Sequence, residues 1–346
     1  MSPISLLCRI DYLIIGQGLA GTLIGYRLER AGHRVDYLDA PRQTAASSVA
    51  AGIVNPITGR RFVKSWRIDE LLPVARSLYA ELEEELGVKL WYDLPLVRTL
   101  FNRGEQNDWL ARSADVGYER YLDDRPEFGR LSELTYPAFA YAGVRHSARV
   151  DTASLVSNFR KRLLNDGRLR EEEVDYTNLP RDYDRIIFCE GWRARFNPYF
   201  AYLPHGGNQG DVLIVKTEAP LLDRLYKHRI FLVPLAEGTY WVGATSSNDL
   251  SEPGPRPASH DYLRQRLDEV LSIPYEIIDH RAAVRPTVRD RRMIIGAHPQ
   301  VPDYYLFNGL GTKGASLAPL GSQWLLQLLE TGSPVPEEVS IERWKH

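Results

Sequence analysis

Three glycines follow a short apolar run near the start of this 346-residue chain, in the segment IIGQGLAG. They are Gly16, Gly18 and Gly21, which is the spacing Gly-x-Gly-x-x-Gly. This spacing occurs by chance in many chains, so its meaning depends on the segments on either side. The glycines constrain the fold strongly only if a buried strand precedes them and a helix follows them.

The flanking segments meet that condition. The run YLII at residues 12–15, just before the glycines, is continuously apolar, which is typical of a strand covered on both faces of a parallel sheet. Apolar residues at helical spacing follow the glycines and stop at Gly32, a residue type that favours a helix C-terminus. The next segment, HRVDYLDA, predicts a second strand that ends at Asp39. An acid at this place binds the ribose of dinucleotides, so the sequence predicts a dinucleotide site.

Each glycine of this turn has a distinct expected role. Gly16 permits the tight turn, Gly18 lets the backbone approach a pyrophosphate, and Gly21 lets the helix pack closely on the strand. Leu19 and Ala20 begin the helix, whose N–H groups and positive dipole end favour a phosphate. An acid at the end of the second strand serves NAD and FAD equally well. The first turn therefore leaves the choice of dinucleotide open.

Composition limits the class of protein. A chain of this length exceeds the roughly 250–300 residues at which single cores stop growing, so we expect two domains. The formal net charge of −2 provides no general attraction for nucleic acid or anionic membrane. Cys8 and Cys189 lie outside any Cys-x-x-Cys pattern, so neither a disulfide framework nor a metal site is indicated. The first ten residues do not resemble a signal peptide, and we expect a cytoplasmic enzyme.

A second glycine-rich turn near the C-terminus discriminates between the cofactors. The segment YYLFNGLGTKGASLAP places Gly309, Gly311 and Gly314 between an apolar strand and a helix. A simple NAD-dependent dehydrogenase does not need this turn. A flavoprotein does, because its isoalloxazine ring extends across the molecule and carries negative charge when reduced. The sequence therefore favours FAD.

Several segments, taken in order, resemble the D-amino-acid oxidase family of FAD-dependent oxidoreductases, which includes glycine oxidase and sarcosine oxidase. The resemblance covers most of the chain. Each segment is a weak signal by itself, but together they are highly specific. The segments are IIGQGLAG with Asp39, SSVAAGIVNP, RVDTASLV, IIFCEGW, NQGDVLIV, FLVPLAEGTYWVGATS, AVRPTVRDRRMIIG and FNGLGTKGASLAP.

The resemblance implies an α/β fold in which a Rossmann-like FAD-binding domain is interleaved with an α+β substrate domain built on a mostly antiparallel sheet. This agrees with the pattern of the chain, where strands and helices alternate early and strand-like runs follow one another between about 201 and 278. We expect the FAD-binding domain to comprise 1–88, 145–200 and 281–346. The substrate domain is expected to comprise 89–144 and 201–280.

The resemblance also implies flavin neighbours beyond the first turn. The S-x-A-A-G segment of the family packs its backbone against the cofactor, and the C-terminal glycine loop covers the pyrimidine end of the flavin. No cysteine lies near that loop, so we expect FAD to be bound non-covalently. The residues carried over are Ser48, Ala51, Gly52, Gly191, Gly309, Gly311, Thr312, Lys313 and Gly314.

Family members remove a hydride from the carbon that bears a neutral amine and pass it to the flavin, which dioxygen or another acceptor reoxidises. Arg285 in the segment VRP matches the arginine that binds the substrate carboxylate. Thr312 stands where glycine-oxidase-like members have a second arginine, and Phe231 stands where they have an aromatic hydroxyl. The catalytic positions implied are therefore Arg285, Thr312 and Phe231, with a small amino acid held less firmly than in those relatives.

Alternatives remain for the substrate and for the activity. Arg60, Arg61 and Lys64 either attract a larger or doubly anionic substrate or belong to a solvated loop. His205 is either a proton shuttle or a solvated loop histidine.

The C-terminal loop is also similar to the oxidase domain of the bifunctional enzyme that builds methylaminomethyl groups on tRNA, but the near-neutral charge disfavours nucleic acid. We expect a small-molecule amine or amino-acid substrate and no membrane partner. The activity alternatives are an NAD-dependent reductase and an FAD-binding protein without turnover.

Overall fold

The computed structural model describes residues 11–40, 45–219 and 222–344. These residues form two compact units, each assembled from separate stretches of the chain. Unit 1 contains the described parts of Met1–Ser47, Ser154–Gly207 and Arg285–His346. Unit 2 contains those of Ser48–Ala153 and Asn208–Val284. Residues 48–88 were expected in the FAD-binding domain, whereas in the structure they cluster with unit 2. The boundaries of the FAD-binding and substrate domains stay a prediction.

The helices of the described chain are α1 (Leu19–Arg30), α2 (Ala46–Val49), α3 (Ile68–Leu86), α4 (Arg103–Ser113), α5 (Leu131–Leu134), α6 (Thr152–Asn165), α7 (Pro257–Asp268) and α8 (Gly314–Thr331). The strands are β1 (Asp11–Ile15), β2 (Arg34–Leu38), β3 (Ile53–Val54), β4 (Ile57–Thr58), β5 (Val63–Lys64), β6 (Trp91–Asp93), β7 (Leu96–Leu100), β8 (Leu122–Asp123), β9 (Ala140–Val144), β10 (Ala148–Val150), β11 (Leu169–Arg170), β12 (Arg185–Phe188), β13 (His205–Lys216), β14 (Leu225–Lys227), β15 (Phe231–Pro234), β16 (Thr239–Gly243), β17 (Glu276–Val288), β18 (Ile294–Ala297) and β19 (Tyr304–Asn308).

Unit 1 is built on a six-stranded sheet in the order β11-β2-β1-β12-β19-β18. All neighbouring strands are parallel except β18, which runs antiparallel to β19. The apolar run of β1 is buried, with Leu13 and Ile14 fully inaccessible to solvent, as the continuous apolar pattern predicts. The strand, glycine turn and helix expected around Gly16 are confirmed.

Unit 2 is built on an eight-stranded sheet in the order β17-β13-β16-β15-β14-β7-β9-β8, together with the three-stranded sheet β3-β10-β6. In the large sheet β14 pairs with β7 in parallel, whereas the pairs β13–β16, β16–β15, β15–β14, β7–β9 and β9–β8 are antiparallel. One face of this sheet carries a core that includes Val97, Tyr226 and Leu232, and Leu263 and Leu267 of α7 belong to the same core. The predicted combination of a parallel α/β sheet with a mostly antiparallel sheet is confirmed.

Candidate active site

The parallel strands of unit 1 bring the predicted cofactor residues to one edge of the sheet. Because β1, β2, β12 and β19 all run in the same direction, their carboxyl ends lie at the same edge. Gly16, Asp39 and Gly309 each directly follow one of these strands, and Gly191 follows β12 by three residues. In sheets of this kind, ligands bind outside the carboxyl ends of the strands. Unit 1 therefore offers a ligand site at this edge.

Two glycines of the first turn are required by the packing of the chain itself. Gly16 has a φ of +100°, and a Cβ placed on it would lie 2.5 Å from the carbonyl oxygen of Cys189. A Cβ on Gly21 would lie 2.0 Å from the carbonyl oxygen of Gly16. Both distances are impossible for a real side chain, so the turn between β1 and α1 requires glycine at these positions.

Gly18 is different, because its own protein surroundings do not require glycine. Its φ is −79°, which any residue adopts, and an added Cβ would lie 3.4 Å from the Ser47 Oγ, an ordinary contact distance. The space beside Gly18 is therefore open to a ligand that approaches the backbone closely. A pyrophosphate at the start of α1 fits this cradle, since the helix N-terminus supplies N–H donors and positive dipole charge. The residues present thus fit a dinucleotide.

Ser47 contributes to the same helix start. Its Oγ accepts a hydrogen bond from the N–H of Leu19, the first residue of α1, at 2.9 Å. Gly18, at the N-cap, has no side chain to make this bond. The serine adjacent to the α1 N-terminus in unit 1 is therefore Ser47, whereas the sequence singled out its neighbour Ser48.

Asp39 is held by an arginine that the sequence analysis missed. Arg160 on α6 donates from Nη1 to the Asp39 Oδ2 at 2.7 Å and from Nη2 to the Asp39 carbonyl oxygen at 3.1 Å. The same guanidinium donates to the Gln17 Oε1 at 3.2 Å and to the Glu171 Oε1 at 2.7 Å. Burial lowers the pKa of Arg160, but the bonds to Glu171 and Asp39 outweigh it and raise the pKa. Arg160 therefore positions the acid expected to meet the ribose.

The loops after β12 and β19 are tied to each other. The Asn308 Nδ2 donates to the carbonyl oxygen of Gly191 at 2.7 Å, and Gly191 has a φ of +61°. Between β12 and this glycine lies Cys189, whose side chain is 5% exposed. Burial raises the pKa of the Cys189 thiol well above its usual range, so the thiol stays protonated. Cys8 lies outside the described residues.

The C-terminal glycine turn joins this edge through two contacts. Gly311, with a φ of +55°, donates its N–H to the carbonyl oxygen of Pro286 at 2.8 Å. A Cβ on Gly314, the first residue of α8, would lie 3.2 Å from the Leu19 Cδ2. The N-termini of α1 and α8 are therefore neighbours in unit 1. Two positive dipole ends converge on one region, which suits a ligand with two anionic or electron-rich parts.

The charged and polar side chains of this turn differ in exposure. Thr312 is exposed, and Lys313 at the N-cap of α8 is half-buried. Burial, and then the nearby Arg292, lower the pKa of Lys313. Arg285 is half-buried on β17 and directly precedes Pro286, whose carbonyl receives the bond from the turn. Arg285 and the C-terminal turn are thus linked within unit 1.

The other predicted residues belong to unit 2. Ser48 is exposed and Ala51 is buried, and a Cβ on Gly52 would lie 1.8 Å from the Val150 carbonyl oxygen. Local packing alone therefore requires glycine at position 52. Phe231 begins β15 and is half-buried, with the Lys227 Nζ 4.4 Å from its ring centroid.

Two further expectations concern basic groups. Arg60 and Arg61 are exposed, while the Lys64 Nζ donates to the Asp69 Oδ2 at 2.8 Å, so a carboxylate already compensates that lysine. His205 is half-buried, and its Nε2 is buried without a hydrogen-bond partner among the described residues. Burial lowers the pKa of His205 to about 4, so its imidazole is neutral at pH 7.

Among the described residues, no group of three or more His, Cys, Asp or Glu side chains is arranged to hold a metal ion. Within the same residues, no helix has both the length and the apolar character needed to cross a membrane.

A parallel sheet with glycine turns, an acid at the end of its second strand and two neighbouring helix N-termini at its carboxyl edge is typical of a dinucleotide-binding α/β protein. Residues 11–328 match the family described as FAD dependent oxidoreductase. The chain belongs to this family. The family membership, the FAD cofactor and the oxidoreductase class inferred from the sequence are therefore confirmed, and FAD is supported over NAD.

Individual relatives are distant but align over nearly the whole chain. The bifunctional protein ThiO/ThiG of Nostoc sp. is 26% identical over 92% of this chain, which spans 52% of that relative. The glycine oxidase of Geobacillus kaustophilus is 23% identical, with 93% of each protein covered. The chain therefore spans about half of the bifunctional relative and nearly all of the single-function one.

Solved structures show the same fold. The glycine oxidase of Geobacillus kaustophilus superposes with a TM-score of 0.78 at 20% identity, covering 94% of this chain and 96% of that one. The iminodiacetate oxidase of Chelativorans sp. BNC1 superposes with a TM-score of 0.77 at 20% identity, covering 94% and 97%. At this level of identity the superpositions establish the fold alone.

Proposed function

We propose that this protein is an FAD-dependent oxidase or dehydrogenase that oxidises the C–N bond of an amine or amino acid carrying a carboxylate. One observation carries the proposal. The N–H of Gly311 donates to the Pro286 carbonyl oxygen at 2.8 Å, which ties the C-terminal glycine turn to the residue after Arg285. The backbone that carries Arg285 is therefore held next to the turn assigned to the flavin. Two relatives named above are called oxidases of carboxylate-bearing amines, which agrees with this substrate class.

Arg285 is assigned to the substrate carboxylate because of its shape. A guanidinium binds a carboxylate through two parallel N–H donors, which fixes both the position and the orientation of the ligand. FAD, when bound, supplies the hydride acceptor for the amine-bearing carbon. The task of Arg285 is to hold that carbon in one place, and a displacement of about 1 Å costs roughly a hundredfold in rate.

Thr312 and Phe231 are the two further positions that the family resemblance assigns to substrate contact. Thr312 provides a neutral hydroxyl, and Phe231 provides an aromatic ring without a hydroxyl. Neither side chain neutralises a carboxylate, so Arg285 is the principal inner carboxylate contact.

FAD is proposed to bind non-covalently through the residues at the carboxyl edge of unit 1. Gly18 leaves room for the pyrophosphate, and Asp39, positioned by Arg160, accepts from the ribose hydroxyls. Leu19 and Ala20 begin α1; because the Leu19 N–H already donates to the Ser47 Oγ, the Ala20 N–H is the donor of this pair assigned to the pyrophosphate. The burial of Cys189 supports non-covalent binding, because covalent attachment requires an accessible thiol.

The proposal is tested with purified protein and a panel of amines under anaerobic conditions. The FAD should stay with the protein through gel filtration and be released by acid, which reports non-covalent binding independently of activity. Glycine, sarcosine and iminodiacetate test carboxylate-bearing amines, and dimethylamine is a matched control that lacks the carboxylate. We expect bleaching of the flavin absorbance by at least one carboxylate-bearing amine and none by dimethylamine.

The alternatives give different results in this experiment. Flavin that no amine bleaches indicates an FAD-binding protein without turnover. Bleaching only by tRNA that carries a glycine-like secondary amine indicates a nucleic-acid substrate. Equal bleaching by dimethylamine and sarcosine contradicts the requirement for a carboxylate.

A further inference from the structure

Two basic side chains lie next to each other on neighbouring strands of unit 2. Arg98 on β7 and Lys227 on β14 are register partners in a parallel pair of the large sheet. Lys227 is also the register partner of Phe231 on β15. Because register partners project to the same face of a sheet, the three side chains form a row. The sequence pattern did not single out Arg98 or Lys227, since only the strand pairing brings them together.

This row lies on the face of the sheet that is opposite the apolar core. The chain neighbours of its members belong to the core that includes residues of α7, and they are Val97, Tyr226 and Leu232. Because side chains alternate between faces along a strand, the row points away from that core. Arg98 and Lys227 are half-buried, so each keeps partial contact with solvent. A small molecule can therefore approach both side chains.

Buried aromatic residues of unit 2 hold the Arg98 guanidinium. Its central carbon lies 4.4 Å from the ring centroid of Phe62 and 5.9 Å from that of Trp109. Phe62 and Trp109 are each 1% exposed. The Arg98 Nε and the Trp109 Nε1 are both buried without a hydrogen-bond partner among the described residues. Because unsatisfied buried donors are costly, these two donors favour a ligand that brings an acceptor to Arg98.

No carboxylate of the described residues neutralises Arg98. Within that part of the chain, no Asp or Glu oxygen lies within 4.0 Å of its guanidinium nitrogens. Glu105 acts on Arg98 only at longer range, and its carboxylate accepts from the N–H of Phe101 at 2.9 Å. Buried cations are normally paired, because desolvation of an unpaired charge is costly. The carboxylate of a ligand is a partner that suits Arg98.

The side-chain amine of Lys227 also has a defined position. Its Nζ lies 4.4 Å from the Phe231 ring centroid and donates to the Arg229 carbonyl oxygen at 2.9 Å. Burial, and then the positive charge of Arg98, lower the pKa of Lys227 to about 8. At pH 7 about a tenth of such amines are neutral, against roughly one in three thousand for an ordinary lysine. A desolvated lysine beside another cation is a typical nucleophile towards carbonyl compounds.

Other charged groups around Lys227 do not pair with it. Among the described residues, no Asp or Glu oxygen lies within 4.0 Å of its Nζ. His228 follows it in the chain and lies on the core face of the sheet, because side chains alternate along the strand. Arg229 is exposed, and its guanidinium lies over the Phe101 ring. The remaining groups act on neighbours of Lys227, and they are Glu105 on Arg98, and Glu269 and Arg266 on His228.

We propose that Lys227 forms a Schiff base with small α-oxo acids, whose carboxylate is bound by Arg98. In an α-oxo acid the carbonyl carbon is bonded directly to the carboxylate carbon, so two adjacent basic groups of different kinds suit it. The planar donor fork of Arg98 orients the carboxylate, and the amine of Lys227 meets the carbonyl carbon. All the residues involved belong to unit 2.

The reaction at Lys227 is a condensation that needs no oxidant or reductant. The lone pair of the neutral amine forms a bond to the carbonyl carbon, and a proton passes from the nitrogen to the carbonyl oxygen to give a carbinolamine. The carbinolamine then loses its hydroxyl group and the remaining nitrogen proton as water, which leaves a C=N double bond. One water molecule is released for each Schiff base that forms.

This ligand class is connected to the proposed function through ordinary imine chemistry. Oxidation of the C–N bond of an amino acid gives an imino acid, and hydrolysis of the imino acid gives an α-oxo acid. A protein with the proposed function therefore produces compounds of the class that Lys227 captures. Only this connection rests on the proposed function, because the Schiff base itself depends on residues of unit 2.

The inference is tested by trapping the Schiff base on the FAD-loaded protein. Glyoxylate is the α-oxo acid probe, and acetaldehyde is the matched carbonyl compound without a carboxylate. Sodium cyanoborohydride reduces the Schiff base to a stable secondary amine, which peptide mass spectrometry locates. At pH 7 we expect glyoxylate to modify Lys227 about tenfold or more faster than the exposed Lys161. The rate at Lys227 should level off above about pH 8, whereas the rate at an ordinary lysine keeps rising towards about pH 10.5.

Variants separate the roles of the two side chains. Lys227→Met should lose the fast phase of glyoxylate labelling of the intact protein. Arg98→Met removes the donor fork, and it also removes a charge that lowers the pKa of Lys227. The ratio of glyoxylate to acetaldehyde labelling at Lys227 cancels that second effect, and we expect it to fall about tenfold or more in Arg98→Met. Lys161→Met is the control and should leave this ratio unchanged.

Several results would overturn the inference. These are modification of Lys227 no faster than that of Lys161, an unchanged labelling ratio in folded Arg98→Met, or a fast adduct only at Lys313, whose pKa burial also lowers. Thermal unfolding checks the folding of each variant. If Arg98→Met does not fold, the labelling ratio is compared between Lys227 and Lys161 of the wild type, and equal ratios contradict the role of Arg98.

Failure of the inference is distinguishable from failure of the proposed function. If amines bleach the flavin but glyoxylate does not modify Lys227, the oxidase activity stands and the Schiff base is refuted. If glyoxylate modifies Lys227 at the expected rate while no amine bleaches the flavin, the Schiff base stands and the proposed function is refuted.

Discussion

At the scale of single residues, Gly18 and Gly21 are glycines for different physical reasons. A side chain at Gly21 would collide with the carbonyl oxygen of Gly16, so the chain itself excludes it. A methyl group at Gly18 would meet the Ser47 Oγ at 3.4 Å, a distance that a small shift of the hydroxyl relieves. The fold therefore does not require glycine at position 18, and the proposed pyrophosphate contact supplies the reason for it.

Because of this difference, we expect the glycine-to-alanine substitutions at positions 18 and 21 to have different effects on FAD binding and on stability. Gly18→Ala should leave the melting temperature of the FAD-free protein nearly unchanged and weaken FAD binding by about tenfold or more, because the methyl group occupies the space of the pyrophosphate. Gly21→Ala should lower the melting temperature of the FAD-free protein. Thermal unfolding and a fluorescence titration with FAD measure the two effects. Full FAD affinity in Gly18→Ala would contradict the placement of the pyrophosphate.

The lowered pKa of Lys227 should make the free energy of unfolding depend on pH. Burial and then the neighbouring Arg98 lower its pKa to about 8, and His228 and Arg229 follow it in the chain. Glu105 interacts electrostatically with Arg98, and Glu269 and Arg266 interact electrostatically with His228. Because the folded-state pKa lies below the value near 10.5 of an unfolded chain, folding penalises the protonated lysine. That penalty is complete below about pH 8 and disappears as the pH rises towards 10.5.

Replacing the ammonium by an apolar side chain removes the penalty. Lys227→Met should therefore raise the free energy of unfolding relative to the wild type at pH 7, and by less at pH 10. Urea unfolding of the FAD-loaded protein at both pH values provides the measurement, and Lys161→Met should show no such pH-dependent difference. A destabilised Lys227→Met at pH 7 would indicate that its bond to the Arg229 carbonyl oxygen outweighs the burial of its charge.

At the scale of elements, α6 contributes to the proposed cofactor site although it lies far in sequence from Asp39. Arg160 reaches Asp39 from this helix and also meets Gln17 and Glu171. Arg160→Met should weaken FAD binding several-fold, because the Asp39 carboxylate loses the contacts that orient it. Lys161→Met, the adjacent exposed position on the same helix, is the matched control. Unchanged FAD affinity in Arg160→Met would show that Asp39 needs no positioning residue.

Lys313, at the N-terminus of α8, is expected to affect the reduction potential of the flavin. Lys313 caps this helix and is half-buried, so its charge is only partly screened. If the turn faces the flavin, a cation there stabilises the reduced cofactor, and Lys313→Met should make the midpoint potential more negative by about 30 mV, equivalent to about 1.4 kcal/mol for two electrons. Spectroelectrochemistry measures the potential. An unchanged value would show that Lys313 does not contribute, although backbone N–H groups still could.

At the scale of the whole molecule, local patterns predicted much more than long-range pairings did. The turn at Gly16 and the helix α1 were predictable because each depends on residues close in sequence, and the continuous apolar run of β1 indicated a strand of a parallel sheet. The pairing of Arg160 with Asp39 was not, because it joins positions 121 residues apart. The sequence also did not indicate that Lys227 lies beside Arg98 and Phe231. These residues are neighbours only because they are register partners on adjacent strands.

The central claim is that Arg285 binds the carboxylate of an amine substrate. Arg285→Lys keeps the charge but loses the donor fork, and Arg285→Met loses both. Arg281→Lys is the control, because Arg281 is an exposed residue of the same strand and pairs with Asp279. The comparison uses whichever amine bleaches the wild type, with FAD content matched in all four proteins.

The most direct test is the rate of anaerobic flavin reduction by that amine, measured by rapid mixing. We predict a loss of roughly a hundredfold in Arg285→Lys, a loss at least as large in Arg285→Met, and a wild-type rate in Arg281→Lys. Near-wild-type reduction in both Arg285 variants at full FAD content would contradict the account, because the substrate carboxylate would then be held by another residue.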